Sequence, residues 1–335
     1  MYEKYYHFTG MPFQLTPDSR FFFGSKGHTR AIAHLIYGLS QGEGFVIVTG
    51  EVGAGKTTLV ERLWSELDRD TYTLARINTT QVSGDDLFRL TMSAFGIDTV
   101  DADKATLLRR FEEMLADHRT SGRHCLLVVD EAQNLSLAAL EELRMLSNLT
   151  DDGRASLQTI LLGQPQFRRK LASPDLDQLR QRVLASYHLG PLSDDETRAY
   201  IEHRLTAVGW HGRPAWTDGA FVAVFRHTGG IPRRINRLCS RVLLYGALEE
   251  ADTITGPMVD NTAQELHHDI EGAADAADPH GADPAGGLHG GALDGGRIQA
   301  ELLARVQALE DAVARRERVF QRLMDVFGGY SLPRG

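Results

Sequence analysis

The sequence is poor in several features that define particular classes of protein. Its 335 residues include two cysteines, Cys125 and Cys239, which are too few for a disulfide framework or a four-cysteine zinc site. Its longest apolar runs, such as Phe45–Val48 and Leu126–Val129, are far shorter than the roughly 20 residues that span a bilayer. Residues 1–5 contain no apolar stretch and do not resemble a secretory signal. We therefore expect a cytoplasmic protein without a transmembrane helix.

Basic residues are absent from one long stretch near the carboxyl terminus. Residues 250–296 contain ten acidic side chains and no Lys or Arg, whereas residues 297–335 contain seven Arg and five acidic side chains. Of the total net charge of −9, residues 1–249 therefore carry only −1. A nearly neutral body excludes no class of partner, nucleic acid included.

Short apolar runs alternate with helical patterns in the first half of the chain. The predicted strands are Phe45–Thr49, Thr73–Asn78, Cys125–Val129, Gln158–Leu162 and Ser186–Leu189. Strands separated by helices of ten or more residues are typical of a parallel sheet with helices on both faces. The sequence therefore predicts an α/β domain with a five-stranded parallel sheet over residues 1–190, in which residues 1–40 form a lead-in.

Helical patterns follow one another after Pro191, where strand signals stop. The predicted helices are Ser193–Val208, Thr217–His227, Pro232–Glu249 and Gly256–Asp269. Ser193 and Glu196 have the spacing of a capping box, which predicts a defined start for the first of these helices. We expect a second, all-helical domain over residues 191–270.

The carboxyl-terminal part combines a linker with an amphipathic segment. Residues 271–296 are rich in Gly, Ala and Asp, a composition that cannot bury enough apolar surface to offset the entropy of ordering, so we predict a flexible linker. Residues 297–328 place apolar side chains at alternating spacings of three and four, with Arg316 interrupting the pattern. This pattern indicates a helix that forms a coiled coil or binds a partner, or one that folds back on the body.

The most specific motif in the chain lies between the first predicted strand and the following helix. It matches the phosphate-binding loop, whose glycines let backbone N–H groups and a helix amino terminus surround phosphates. Lys56 is predicted to contact the β and γ phosphates, and the Thr57 hydroxyl to bind Mg²⁺. The residues of the predicted ATP site are Gly50, Glu51, Val52, Gly53, Ala54, Gly55, Lys56, Thr57 and Thr58.

Two carboxylates follow the buried strand Leu126–Val129. In a phosphate-loop ATPase, an acidic residue at the end of such a strand binds magnesium, and a second one beside it polarises the attacking water. We assign Asp130 to the metal and Glu131 to the water. Alone, such a pair is more often a solvated loop, but its combination with Lys56 favours catalysis.

With these motifs, the chain resembles an AAA+ ATPase of the ExeA/GspA general secretion type, in particular the subgroup associated with exosortase (PEP-CTERM) loci. The resemblance covers about residues 1–270. It is carried by Pro12–Phe22, His28, Tyr37–Leu39, residues 50–58, Asp130–Asn134, Leu143–Leu149 and Leu161–Pro165.

The resemblance implies roles for further polar residues. Gln164 follows the fourth strand, where the family places a polar sensor that orients the water; otherwise it is a turn residue before a proline. Arg182, which we favour over Arg180, is the implied arginine finger that completes a neighbouring subunit's site. Arg233, with Arg234 as the alternative, is the implied contact from the helical lid domain to the γ phosphate.

The resemblance also implies a biological setting. It suggests a Mg²⁺-dependent ATPase that assembles into a ring or another oligomer and serves envelope export, in exopolysaccharide or exosortase-linked production. The carboxyl-terminal helix would then dock on machinery at the inner face of the cytoplasmic membrane. Two rivals remain open. One is a DNA-binding ATPase like transposition regulators, suggested by the arginines of residues 226–241, and the other is a signalling scaffold that binds nucleotide as a switch.

Overall fold

The structure is a computed structural model that describes residues 2–16, 18–78, 83–151, 154–155 and 157–275. Residues up to Leu266 form one compact unit, and a second unit begins at His267. The predicted helix over residues 297–328 lies outside the described residues, as does the predicted linker beyond residue 275.

A five-stranded parallel sheet confirms the predicted α/β fold. The strands of the described chain are β1 (Phe45–Gly50), β2 (Tyr72–Asn78), β3 (His124–Asp130), β4 (Thr150–Asp151), β5 (Arg154–Ala155), β6 (Leu157–Gly163), β7 (Val183–Leu189), β8 (Ala215–Trp216) and β9 (Thr253–Ile254). The main sheet has the order β2-β3-β6-β1-β7, with every pairing parallel. Each predicted strand lies within one of these five.

Helices cover both faces of this sheet. The helices are α1 (Tyr2–Tyr6), α2 (Lys26–Ser40), α3 (Lys56–Glu66), α4 (Gly84–Ala94), α5 (Lys104–Thr120), α6 (Leu137–Leu146), α7 (Pro165–Leu171), α8 (Asp177–Arg180), α9 (Asp194–Thr206), α10 (Asp218–Thr228), α11 (Pro232–Leu248) and α12 (Gly256–Asp275). Successive residues of β1 point to opposite faces. Phe45 and Ile47 therefore share a core with α4 to α8, whereas Val46 and Val48 share another with α2 and α3.

The helical region, α9 to α12, follows the sheet as predicted, with one addition. Ser193 accepts the N–H of Glu196 and Glu196 accepts the N–H of Ser193, which confirms the capping box. The expectation that strands stop after Pro191 was wrong in one detail, because β8 and β9 pair in parallel. Two residues are too short to show a strand period in sequence. Helix α12 also continues to Asp275, beyond the predicted end of the helical domain at residue 270.

The part of the lead-in before α2 packs against the helical region, whereas α2 packs against the sheet. Its aromatic side chains Tyr2, Tyr6, Phe13 and Phe21 are buried in the same core as residues of α9, α10 and α11. The buried guanidinium of Arg204 holds the segment in place, donating to the carbonyl oxygens of Pro12 at 2.5 Å and Gln14 at 3.1 Å. Within the predicted lead-in of residues 1–40, the large aromatic side chains before α2 bury their apolar area among helices.

The sheet order places the predicted functional motifs together. Strands β3, β6 and β1 are neighbours, and the carboxyl ends of parallel strands meet at one edge. β1 ends at Gly50, β3 at Asp130 and β6 at Gly163. The phosphate loop, the two carboxylates and Gln164 therefore follow three adjacent strand ends. Across the described residues, none of the helices combines the length and apolar character needed to cross a membrane.

Candidate nucleotide-binding site

The phosphate loop turns from β1 into α3 through two glycines with left-handed backbone. Gly53 has φ of 82° and Gly55 has φ of 98°, values that side chains other than glycine's rarely adopt. A Cβ added to Gly53 would also fall inside contact distance of the Arg233 Cβ, on the first turn of α11. The loop is therefore wrapped tightly at its centre, with the helical region packed directly against it.

Lys56 and Thr57 begin α3 at the mouth of the loop. The buried Lys56 Nζ donates to the carbonyl oxygens of Gly50 at 2.8 Å and Glu51 at 3.0 Å. Burial lowers the pKa of the Lys56 ammonium, while Glu131, Asp130 and Glu51 act in the opposite direction. The Thr57 hydroxyl donates to Asp130 Oδ2 at 2.9 Å. The predicted pair of metal ligands is thus in direct contact.

Glu131 follows Asp130 in a left-handed conformation with φ of 54° and ψ of 39°. Such a conformation is uncommon outside glycine, and in proteins it concentrates at functional sites. Its N–H donates to Asp130 Oδ1 at 2.9 Å, so the turn also fixes the neighbouring carboxylate. The backbone therefore aims two adjacent acidic side chains in different directions from one strand end.

Two glutamines hold the Glu131 carboxylate. Gln164 Nε2 donates to Glu131 Oε2 at 3.1 Å, and Gln133 Nε2 donates to the same oxygen. Gln133 Oε1 in turn accepts the backbone N–H of Gln164 at 3.0 Å. The predicted sensor and the predicted base are therefore brought together. Gln133 contributed to the resemblance, but its position between these residues was not predicted from the sequence.

Arg76 is a second neighbour of the metal-ligand pair that sequence reasoning missed. Its Nη2 lies 3.2 Å from Asp130 Oδ2, and its Nη1 lies 3.6 Å from Glu61 Oε1. Because β2 and β3 pair in parallel, Arg76 and Val128 are adjacent in register, which brings the long side chain to the end of β3. No local pattern around Arg76 signals this contact, since it depends on strand order.

The predicted arginines fall into two groups. Arg233 lines a cavity beside the phosphate loop, and its N–H donates to the Gly53 carbonyl at 3.2 Å. The alternative, Arg234, does not line this cavity. Arg180 and Arg182 do not line it either. Arg180 pairs with Asp177 at 2.6 Å, and Arg182 Nη1 donates to the Ser147 carbonyl at 3.1 Å.

The cavity beside the phosphate loop has a volume of about 360 Å³. One side is formed by the phosphate loop and the two carboxylates, and the other by the lead-in and the helical region. Its lining includes Gln14, Leu15, Phe22, His28, Gly53, Gly55, Lys56, Thr57, Thr58, Asp130, Glu131, Tyr200, Arg204, Arg233 and Asn236. The lead-in thus supplies a wall of the site.

The described residues contain no group of three His, Cys, Asp or Glu side chains that could hold a metal ion. Mg²⁺ does not need one, since beside nucleotides it is held by one or two protein oxygens together with phosphates and water. The Thr57 hydroxyl and the Asp130 carboxylate, 2.9 Å apart at the loop, match that donor set. The residues present therefore fit Mg²⁺ that arrives with a nucleotide.

Comparisons with known proteins place this site in a family context. Residues 39–171 match the family model described as AAA domain. The chain is 38% identical over 248 residues to General secretion pathway protein A of Aeromonas hydrophila, which covers 73% of this chain and 44% of that protein. The chain therefore spans less than half the length of that relative.

Solved structures share the fold at low sequence identity. The ADP form of the Aeropyrum pernix ORC2 protein has a TM-score of 0.57 and 16% identity, covering 76% of this chain and 72% of that one. Cdc6p from Pyrobaculum aerophilum also has a TM-score of 0.57 and 16% identity, covering 75% and 71%. The chain therefore contains an AAA domain, shares its fold with these structures, and is similar over 248 residues to General secretion pathway protein A.

Proposed function

We propose that the chain binds ATP with Mg²⁺ in the cavity described above and hydrolyses it there. The observation that supports this most strongly is that Lys56 and two pairs of contacting side chains converge at adjacent strand ends. Lys56 lies inside the loop, Thr57 contacts Asp130, and Glu131 contacts Gln164. These are the parts that phosphoryl transfer to water requires: phosphate binding, metal binding and water activation.

Each residue has a distinct task in this proposal. Lys56 transfers its hydrogen bonds from the loop carbonyls to the phosphates, and Thr57 and Asp130 hold Mg²⁺, which supplies neutralising charge to the phosphates when bound. Glu131 accepts the proton of the attacking water, and Gln164 keeps that carboxylate oriented. Arg233 approaches the phosphates from the helical region, so that hydrolysis changes the contact between that region and the loop.

Nucleotide binding and hydrolysis can be tested separately. Lys56→Ala should abolish binding of a fluorescent ATP analogue, whereas Thr57→Val and Asp130→Asn should weaken binding only when Mg²⁺ is present. Adding EDTA to the parent should reproduce the effect of Asp130→Asn. If the parent binds no nucleotide, or if Lys56→Ala binds as tightly as the parent, the proposed site is wrong.

We further propose that the site is completed by an arginine from a neighbouring subunit. The sequence favours Arg182, but the contacts favour Arg180. The Arg180 side chain is half exposed. It pairs with an equally exposed Asp177, an interaction that contributes only about 0–1 kcal/mol, and makes one long hydrogen bond of 3.3 Å to the Leu171 carbonyl. Arg182 would instead have to abandon the Ser147 carbonyl and hydroxyl beneath α6.

Subunit mixing tests this proposal. Arg180→Ala and Glu131→Gln should each be inactive alone, yet their mixture should hydrolyse ATP, because one variant supplies the intact carboxylate and the other the intact arginine. Arg182→Ala should be tested in the same way, with Arg169→Ala, an exposed arginine on α7, as the matched control. A mixture that stays inactive for both arginines contradicts an intersubunit site.

For the biological setting, we propose a secretion-associated role in the cytoplasm, with recruitment to the inner face of the cytoplasmic membrane. Similarity to General secretion pathway protein A of Aeromonas hydrophila supports the general role. The link to exosortase or exopolysaccharide production rests on the motif resemblance, and docking through residues 297–328 rests on their apolar pattern. Affinity purification from cells with residues 297–335 deleted tests the docking: recovery of the same partners would contradict it.

One observation favours a second candidate function, DNA binding. Arg234, Arg237 and Arg241 are exposed on α11 at spacings of three and four residues, and none of them has an acidic partner in the described part of the chain. Such a stripe suits a phosphate backbone. Fluorescence anisotropy with a labelled duplex, at low and high salt, tests this candidate. Absence of binding at low salt would remove it.

A further inference from the structure

His28 occupies an unusual place beside the phosphate loop. It lies in the first turn of α2, it is only 7% exposed, and it lines the cavity. A Cβ added to Gly55 would meet His28 Nε2 at 2.9 Å, so this ring nitrogen lies directly against the loop backbone. Phe22 contacts the ring edge-on, with centroids 5.9 Å apart, and limits its rotation. The residue as a whole is buried, whereas its Nε2 opens to the cavity beside the loop.

A hydrogen bond on the other side of the ring determines which nitrogen carries the proton. Ser25 Oγ lies 2.7 Å from His28 Nδ1 and also accepts the backbone N–H of His28 as the cap of α2. Ser25 is itself buried, and its hydroxyl hydrogen has no other acceptor among the described residues. The hydroxyl therefore donates to Nδ1, and the ring proton sits on Nε2, toward the loop.

The remaining Nε2–H has no hydrogen-bond acceptor within the described residues. Because His28 lines the cavity and its Nε2 is not sealed in the core, the molecule that fills the cavity is placed to accept this hydrogen bond. Burial lowers the pKa of the His28 imidazole, with Glu196 acting in the opposite direction. The ring is therefore neutral near pH 7 and acts as a hydrogen-bond donor rather than as a charge.

We propose that His28 is a nucleotide-binding residue whose Nε2–H donates to a phosphate oxygen of the bound nucleotide. Gly55 belongs to the loop that surrounds phosphates, and a group touching that glycine lies beside the phosphate chain rather than beside the base. This inference rests on the proposed function, since it requires a nucleotide in the cavity.

Two substitutions separate the two nitrogens of the ring. His28→Asn keeps an acceptor near the Nδ1 position for Ser25 but has no donor at the Nε2 position, whereas the longer His28→Gln places an amide donor there. We expect His28→Asn to weaken ADP binding by about tenfold to a hundredfold, the range for one hydrogen bond to a charged group. His28→Gln should remain within about threefold of the parent.

Binding is measured by calorimetry with ADP and by displacement of a fluorescent ADP analogue with pyrophosphate. Pyrophosphate should lose the same factor as ADP in His28→Asn, since the contact is with phosphate. His34→Asn, an exposed histidine on the same helix, is the matched control and should bind like the parent. Equal binding by the parent and His28→Asn, or a loss for ADP alone, would overturn the proposal. A parent that binds no ADP would instead refute the proposed function.

A second measurement needs no substitution and so does not depend on whether the variants fold. Long-range ¹⁵N–¹H spectra of histidine-labelled parent protein report the tautomer of His28 directly. The proton should sit on Nε2, and ADP should shift the Nε2 resonance more than the Nδ1 resonance. A proton on Nδ1, or a spectrum that ADP leaves unchanged, would contradict the proposed contact.

Discussion

Replacing Gly53 with alanine should push the first turn of α11 away from the phosphate loop. The new Cβ would fall within contact distance of the Arg233 Cβ, and Arg233 Cδ lies close behind it. The Arg233 Cβ is fixed by the backbone of the helix start, and the Arg233 N–H already donates to the Gly53 carbonyl at 3.2 Å. The clash is therefore relieved only by separating the helical region from the loop, which also moves Arg233 away from the phosphates.

The expected cost has two parts. Alanine at a φ of 82° costs about 1–2 kcal/mol, because a Cβ disfavours left-handed backbone. Overpacking against Arg233 adds about 1–3 kcal/mol. Gly42 offers a matched control, since its φ is 76° but no atom lies within 4 Å of an added Cβ. Gly42→Ala should therefore show only the cost of the left-handed backbone, without the cost of overpacking.

Urea unfolding of the parent and both variants, with and without ADP, measures these terms. Without ADP, Gly53→Ala should lose more free energy of unfolding than Gly42→Ala by about 1–3 kcal/mol. With ADP, Gly42→Ala should gain as much stability as the parent, whereas Gly53→Ala should gain little, because its site is distorted. Equal losses in both variants, or an undiminished stabilisation of Gly53→Ala by ADP, would refute the reasoning.

Three further predictions concern stability and reactivity. Burial raises the pKa of the Cys125 thiol to about 11 and also raises that of Cys239, so at pH 8 only about one Cys125 in a thousand is a thiolate. Mass spectrometry should therefore find both cysteines unlabelled by iodoacetamide in the native protein. Labelling as fast as in urea would contradict this prediction. Ser193→Ala removes the side-chain acceptor of the capping box and should lower the free energy of urea unfolding by about 0.5–2 kcal/mol, an effect that an unchanged midpoint would exclude. Arg204→Met leaves the Pro12 and Gln14 carbonyls without their buried donor and should lower the free energy of unfolding by at least about 2 kcal/mol. The lead-in should also be cleaved faster by proteases. An unaltered digestion pattern would contradict the role of Arg204 in holding the lead-in.

The sheet and the core of the site follow from local sequence. Apolar runs such as Leu126–Val129 are buried strands because their side chains face helices on both sides of the sheet. Such continuous apolar runs are visible in the sequence. The Gly50–Thr57 pattern is equally local, since it describes one turn and the start of one helix. Asp130 and Glu131 could be assigned because parallel strand ends must share an edge.

Other parts of the site depend on contacts between distant residues. Arg76 reaches Asp130 because β2 is the neighbour of β3, and the order of the strands cannot be predicted from the sequence of either strand. His28 reaches Gly55 because α2 packs beside the loop, although its sequence reads as an ordinary helix start. The lead-in aromatics signal burial, but the sequence does not say which core they enter. Sequence reasoning therefore found the residues of strand ends and, through the resemblance, Arg233, but it missed the contacts that Arg76 and His28 make through packing.

The most direct test of the account is single-turnover ATP hydrolysis by the parent and by Glu131→Gln, at protein concentrations high enough for subunits to associate. The account predicts that both proteins bind ATP with the same affinity within about twofold, because Gln keeps the size and hydrogen bonding of the side chain. It predicts that Glu131→Gln hydrolyses ATP at least about a hundredfold more slowly, since the amide cannot accept the proton of the attacking water. Hydrolysis by Glu131→Gln at the parent's rate would contradict the central claim.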